Sequence, residues 1–298
     1  MKWIFVWLLV SARLIAAPLT VATYNLEFYV DSPVLGVPPK SPEARALIRE
    51  AIRRLNPDVL AVQEIGSTNA LGELINSLRA EKLNFPFIDY VKGPDSNLHL
   101  AFLSKRPIIA RRPHTNESFL FQGKRHQVSR GFAEIDVQVG KQLITFLSAH
   151  LKSKRQVGEA DQQGLREEEA KLLRERIDDF FQREPNGNFI VLGDFNDDIG
   201  SRTLKTIVGR NRTRLFDPRP CERNGDTMAN PNPRYEPRRI LWTHYFAKEE
   251  TYSRLDYILL SGSLRSAVDP AETYVLAMPN WGTASDHRPV CVRLNLAD

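Results

Sequence analysis

Two periods of apolar positions alternate along the chain, and the switches between them outline a run of strands and helices. LTVATYNLEFYV reads as a strand. SPEARALIREAIRRLNP has the helical period: Leu47, Ile48, Ala51, Ile52 and Leu55 share one face, Ser41 caps it, Pro42 takes the first turn, and Asn56-Pro57 stops it. DVLAVQEI is a second strand, and a second amphipathic helix runs through Leu71, Leu74, Ile75 and Leu78. LHLAFLSK, RGFAEIDVQV and LITFLSAHL follow as strands. The longest helix covers about 159–182, with Leu165, Leu172, Leu173, Ile177 and Phe180 on one side, and delivers the chain into FIVLGDFND. SRLDYILLS and HRPVCVRLNL close the chain as strands. Residues 217–239 lack periodicity, are rich in Pro, Arg and Asn, and read as a long loop of the kind that usually carries function. Strands and helices mix without a break in composition, so one mixed α/β domain over 18–298 is expected.

Composition narrows the class. With 42% apolar and 26% charged residues among 298, the chain is globular and neither disordered nor fibrous. A net charge of +5 suits a polyanionic partner without requiring one. MKWIFVWLLVSARLIAAPLT has a lysine, a short apolar run and small residues at Ala16 and Ala17, the layout of a signal peptide over 1–17. That predicts a secreted or periplasmic protein, and the run is too short for stable membrane insertion. Two cysteines, Cys221 and Cys291, are too few for a disulfide scaffold and argue against a zinc site, while a bridge between them is permitted but not required.

The chemistry gathers at strand ends. Asn25 follows VATY, Glu64 follows LAVQ, His150 follows LSA, and Asp194 and Asn196 follow IVLG. Asp256 lies inside SRLDYIL, and SDHRP holds Asp286 and His287. Taken alone, Asn25 is a turn former, Glu64 a solvated strand end, and GDFND a turn. Polar residues at six strand ends instead predict a shared rim, where sheet proteins place their sites. The residue types suit phosphoester hydrolysis. Glu64 can hold a hard cation such as Mg²⁺, which takes oxygen ligands and completes its shell with phosphate. Either Asp194 with Asn196, or His287 polarised by Asp256, can act as base or orient water. A carboxylate inside the apolar strand LDYIL needs a partner, and His287 is the available one. His99, His114, His126 and His244 lack such a setting and receive no role.

TYNLEFY, LAVQE, LSAHLKS, VLGDFND, SRLDYILL and SDHRPV, in this order, resemble the endonuclease/exonuclease/phosphatase superfamily over about 19–296. The resemblance implies a four-layered α/β/β/α sandwich of two packed mixed β-sheets with the active site at one end of the strands. It also implies that Asn25 and Glu64 bind a divalent metal (Mg²⁺, with Mn²⁺ or Ca²⁺ as alternatives) and that Asp286 holds or approaches it. His150 then contacts the scissile phosphate, Asp194 with Asn196 handles the water, and Asp256 pairs with His287. Arg130 in SRGFAEIDV resembles the arginine that DNase-I-like members place near the phosphate, and Lys152 adds positive charge to the same pocket. One departure stands out: VKGPDSNLHLAFLSK offers no counterpart to the glutamate that supports the first histidine in DNase I.

Basic clusters such as ARRPH, GKRH and KSKR fall in expected loops and together can line a phosphate backbone. The expected activity is therefore an exported, metal-dependent cleavage of nucleic acid, DNA ahead of RNA. The alternatives are a phosphatase or phospholipase acting on inositol phosphate or sphingomyelin, and a binding protein that has lost turnover. No exposed apolar hairpin of the kind a membrane-acting lipase needs is legible, which ranks the lipase lower.

Overall fold

The computed structural model describes residues 17–155, 161–223 and 239–296. Its strands begin with β1 (Ala17–Tyr29), β2 (Val59–Ile65), β3 (Phe87–Val91), β4 (His99–Ser104) and β5 (Ile108–His114). A hairpin of β6 (Ser118–Phe121) and β7 (Lys124–Gln127) follows, then β8 (Phe132–Val139), β9 (Gln142–His150) and β10 (Asn188–Asp194). The last third holds β11 (Cys221–Glu222), β12 (His244–Phe246), β13 (Thr251–Ser253), β14 (Asp256–Leu260), β15 (Val268–Val275) and β16 (Val290–Leu296). The helices are α1 (Pro42–Leu55), α2 (Thr68–Ala80), α3 (Gln162–Arg183), α4 (Arg202–Val208) and α5 (Trp281–Ala284).

Two large sheets form, of order β11-β15-β16-β1-β2-β4-β3 and β14-β10-β9-β8-β5. Both are mixed, since β1–β2 and β9–β10 run parallel while β1–β16 and β10–β14 run antiparallel. Alternation along the central strands decides the layers. Val21, Ala61, Phe102, Ile135, Phe146, Ile190 and Ile258 point between the sheets into one apolar layer. The opposite face of the first sheet packs on α1 and α2 through Ile48, Ile52, Leu60, Leu74 and Leu103. The opposite face of the second packs on α3 and α4 through Leu147, Leu173, Ile177, Val191 and Leu204. The four-layered α/β/β/α sandwich is thus what the side-chain pattern demands once each central strand is buried on both faces.

Local signals hold where they are strong. Ser41 accepts from the amide of Ala44 at 3.1 Å, and Asn56 ends α1 in the left-handed conformation at φ 46°. ARRPH, in contrast, lies in edge strand β5 and GKRH in the β6–β7 hairpin, not in loops. Arg112 tolerates its place in a strand because Glu134 at 2.6 Å and Asp136 at 2.5 Å pair its guanidinium. The 217–239 loop is described only in part, and residues 224–238 fall outside the described set. So does the expected signal peptide apart from Ala17, where β1 begins. Among the described helices none is long and apolar enough to cross a membrane.

Both cysteines are free. Cys221 and Cys291 pair with Tyr274 from its two sides, so two strand spacings, about 9–10 Å, separate them. A disulfide needs Cα atoms within about 7 Å, which closes that option.

Phe146 is fully buried between the sheets, edge-on to Phe102 at 6.2 Å between ring centroids. Truncation by Phe146→Ala should cost about 3–5 kcal/mol in urea unfolding, against about 0.5 kcal/mol or less for Leu120→Ala on the exposed face of β6.

Candidate active site

The end of β10 sets the site's position. β10 lies between β9 and β14, with Asp194 in register with His150 on one side and Asp256 on the other. Gly193 makes this possible: at φ 134°, a Cβ there would sit 2.0 Å from the carbonyl oxygen of Ala149. Beyond it the chain turns sharply, with Asn196 at φ 52° and its amide donating to Asp194 Oδ1 at 2.8 Å. GDFND is therefore a turn, as its residue types suggest, and the turn places functional groups.

Asp194 is almost fully buried, and its Oδ2 gathers side chains from four places in the chain. Asn25 Nδ2 donates to it at 3.0 Å and Asn196 Nδ2 at 3.2 Å. His150 Nε2 lies 3.4 Å away and His287 Nε2 3.7 Å away. Burial raises the Asp194 carboxyl well above the usual range, opposed by the charge of His287 and reinforced by that of Asp256.

His287 Nδ1 lies 2.8 Å from Asp256 Oδ2, the pairing expected for a carboxylate inside an apolar strand. Burial works against a charged His287, but Asp256, Asp194 and Asp286 outweigh it and hold the imidazole protonated well above its ordinary range. His150 is the opposite case. Burial, Arg130 and His287 drive its protonation well below the ordinary range, so it is neutral. Its Nδ1 is buried with no hydrogen-bond partner among the described residues, which matches the missing glutamate in β3–β4.

Glu64 reaches the site through a bulge. Between Gln63 and Ile65 the register of β2 shifts against both β1 and β4, and Glu64 adopts φ 59°. A bulge breaks the alternation of faces and re-aims one side chain. Glu64 then accepts from Asn25 Nδ2 at 3.3 Å and from the Phe28 amide at 3.0 Å. Its carboxyl is raised by burial and by the facing charge of Asp286, with Arg130 and His287 opposing. Asp286 keeps its charge against burial because His244, His287 and Lys40 outweigh that cost, and its Oδ1 is buried without a hydrogen-bond partner among the described residues. Carboxylates such as these can supply oxygen donors to a hard divalent cation. Asn25 ties Glu64 to Asp194 through its amide nitrogen while its Oδ1 accepts from the Glu27 amide at 3.0 Å.

Arg130 lies 3.5 Å from Asp95 and acts electrostatically on Glu64 and His150, which places it beside the site. Lys152 is engaged chiefly through its main chain: its amide donates to Glu169 Oε2 at 2.6 Å and its carbonyl accepts from Arg166 at 3.2 Å. Asn25, Glu64, His150, Asp194, Asn196, Asp256, Asp286 and His287 are thus brought to one rim, with Arg130 at its edge and Lys152 behind it.

Three kinds of residue escape the reading of the sequence. Glu169, buried on α3, also accepts from the Ser129 amide at 3.4 Å, so it ties the Arg130 loop to the end of β9. Thr243 and Ser285 hold strand ends: Thr243 Oγ1 accepts from the Leu255 and Asp256 amides, and Ser285 Oγ bridges the His287 amide and the Asn25 carbonyl. His244, assigned nothing from its local setting, stands 3.5 Å from Asp286 Oδ2. Only a histidine spaced ahead of LDYIL signals it, and that spacing has no meaning before the fold is known.

A cleft of about 440 Å³ opens beside Asp286, lined by Glu27, Tyr245, Asn280 and Trp281. Its aromatic wall continues through Trp242 to Tyr252, 59% exposed, on one face of the β12–β13 hairpin, while Phe246, 41% exposed, stacks on His244 on the other face and the turn carries Lys248, Glu249 and Glu250.

The family model described as the Endonuclease/Exonuclease/phosphatase family matches residues 22–287. Among solved structures, sphingomyelinase C from Streptomyces griseocarneus is similar at TM-score 0.61 and 17% identity, covering 93% of this chain and 99% of that one. The human nocturnin catalytic domain with bound sulfate gives 0.63 and 15%, covering 93% and 94%. Truncated Caenorhabditis elegans TDP2 gives 0.60 and 16%, covering 93% and 97%. No curated sequence matches the chain.

The methyl of Gly193→Ala should wedge β9 from β10 and destabilise the protein by about 1–3 kcal/mol in urea unfolding. Gly262→Ala, with open space around it, should change stability by about 0.5 kcal/mol or less.

Proposed function

The chain belongs to the endonuclease/exonuclease/phosphatase family, whose members are phosphoesterases, and from that premise we propose an exported, metal-dependent phosphodiesterase that hydrolyses nucleic acid, DNA ahead of RNA. The observation that carries the reading is the pair of repelling carboxylates, Glu64 and Asp286, set beside a buried Asp194 flanked by two histidines.

Glu64 and Asp286, with the side chain of Asn25, would hold the ion, and oxygen donors of this kind favour Mg²⁺, with Mn²⁺ or Ca²⁺ as alternatives. When bound, the ion supplies charge neutralisation at the phosphate and at the leaving oxygen. The remaining chemistry belongs to the chain. His287, kept protonated by Asp256, donates from Nε2 to a phosphate oxygen and cannot serve as a base in that form. Asp194, with its proton affinity raised by burial, takes a proton from the attacking water. Asn196 and Asn25 fix the carboxylate's orientation during that transfer. Neutral His150 donates its Nε2 hydrogen on the same side, and Arg130 adds positive charge where the phosphate enters. As water oxygen bonds to phosphorus, the bond to the leaving oxygen breaks.

Support for nucleic acid comes from the basic balance of the chain and from the aromatic wall beside Asp286, because stacking on rings tolerates any base. The exposed rings of Phe246 and Tyr252 favour a second reading, a phospholipase of sphingomyelin type whose hairpin enters a lipid surface. Export rests on the layout of residues 1–17.

Supercoiled plasmid incubated with the mature chain and Mg²⁺ should be nicked, and EDTA should abolish nicking. His287→Ala and Asp256→Asn should each reduce the rate by about 10²–10⁴-fold. Intact plasmid together with phosphocholine release from sphingomyelin vesicles would select the second reading. Expressed with its leader, the protein should be recovered outside the cytoplasm with Pro18 at its amino terminus; recovery in the cytoplasm with Met1 retained would rule export out.

A further inference from the structure

His244 is held against the site by the backbone. Arg288 donates its amide to the Thr243 carbonyl at 2.6 Å, and Tyr245 donates to the Asp286 carbonyl at 3.0 Å. His244 and His287 are thereby opposed as an antiparallel pair without hydrogen bonds of its own, the kind that brings side chains closest. Their ring centroids are 4.6 Å apart. Asp286 spans both: its Oδ2 lies 3.5 Å from His244 Nε2 and its Oδ1 3.9 Å from His287 Nε2.

We infer that His244, Asp286 and His287 form a second cation site, selective for zinc-class ions, whose occupation blocks the phosphoesterase centre. One ligand atom from each of the three lies within 4.8 Å of the others. Around a tetrahedral ion with bonds of about 2.0–2.1 Å, ligand atoms stand about 3.3–3.4 Å apart, so closure by roughly 1.5 Å or less completes the site. Two imidazole nitrogens and one carboxylate suit Zn²⁺ or Co²⁺, while Mg²⁺ prefers oxygen. Asp256 at Nδ1 leaves Nε2 of His287 as the coordinating atom, the carboxylate–histidine arrangement that orients metal ligands, and the incoming ion must displace the Nε2 proton to solvent. The orphaned Oδ1 of Asp286 supplies an unused acceptor. The scarcity of thiols argued against zinc, but imidazoles brought together by the fold provide the other donor set.

The site shares Asp286 and His287 with the hydrolytic centre, so an ion bound there removes one carboxylate from the Mg²⁺ donors and occupies the nitrogen that faces phosphate. His244 supports the charge of Asp286 but takes no step in the proposed hydrolysis, and it confers the sensitivity. The inhibitory consequence rests on the proposed function; the binding does not.

Co²⁺ titrated into the metal-free full chain should give the visible absorption of a four- or five-coordinate ion, saturating at one equivalent and displaced by Zn²⁺. His244→Ala and His244→Gln, each checked by its thermal unfolding, should lose that absorption and bind Zn²⁺ at least about tenfold more weakly in competition with a chromophoric chelator. With saturating Mg²⁺, each variant should need at least about tenfold more Zn²⁺ to halve its own uninhibited nicking rate. Equal Zn²⁺ affinity in folded variants and wild type would overturn the site. Weaker binding with unchanged inhibition would overturn its blocking role. Absence of any plasmid cleavage would count against the proposed function alone, because the Co²⁺ and chelator measurements still decide the site.

Discussion

A carboxylate with almost no access to water lies at the junction of the two sheets, and the cost of keeping charge there organises the surrounding residues. Burying an ion costs several kcal/mol even after relaxation, while an opposite charge about 4 Å away returns about 4 kcal/mol at the effective dielectric of a protein. His287 at 3.7 Å therefore cannot offset that cost unaided, and the donors from Asn25, Asn196 and the Asn196 amide offset only part of the rest, so the carboxyl stays raised. Together with His287 these groups come from β1, from the turn after β10 and from the segment before β16, so the electrostatic need of one residue is met only when both sheets are docked.

The same demand runs outward through the site. His287 offsets three carboxylates and is itself anchored by Asp256, so its charge is a property of the group. His150, 3.4 Å from the same Asp194 oxygen, is held neutral by burial and then by Arg130 and His287, and the two histidines divide into a charged donor and a neutral donor. Burial and the charge of Asp286 keep the Glu64 carboxyl raised, with Arg130 and His287 opposing, and the bulge that aims Glu64 sets this balance as much as residue type does.

Backbone strain gathers where this geometry is made. Glu27, Phe28, Glu64 and Asn196 all adopt positive φ near the rim. Each such residue costs on the order of 1–3 kcal/mol, and such costs persist only where surrounding structure over-determines them. Here the three apolar layers do so, because β1, β2 and β10 are clamped on both faces and cannot relax. Rigid strands thus hold unfavourable turns, and the turns aim the side chains.

The strong local patterns were legible before folding: the capped helix α1, the long α3, the buried strands and the polar residues at their ends follow from periodicity and from turn chemistry that need no distant partner. The burial cost of Asp256 in an apolar strand even named His287 as its mate. Edge strand β5 and the β6–β7 hairpin were not legible, because Arg112 is acceptable in a strand only once Glu134 and Asp136 stand beside it. The bulge at Glu64, the protonation of two similar histidines and the arrival of His244 beside Asp286 were decided by tertiary structure alone. The sequence by itself determined which residues carry charge and which segments bury; the packed sheets decided which charges face one another, because electrostatic energy depends on distance and exposure that no local pattern contains.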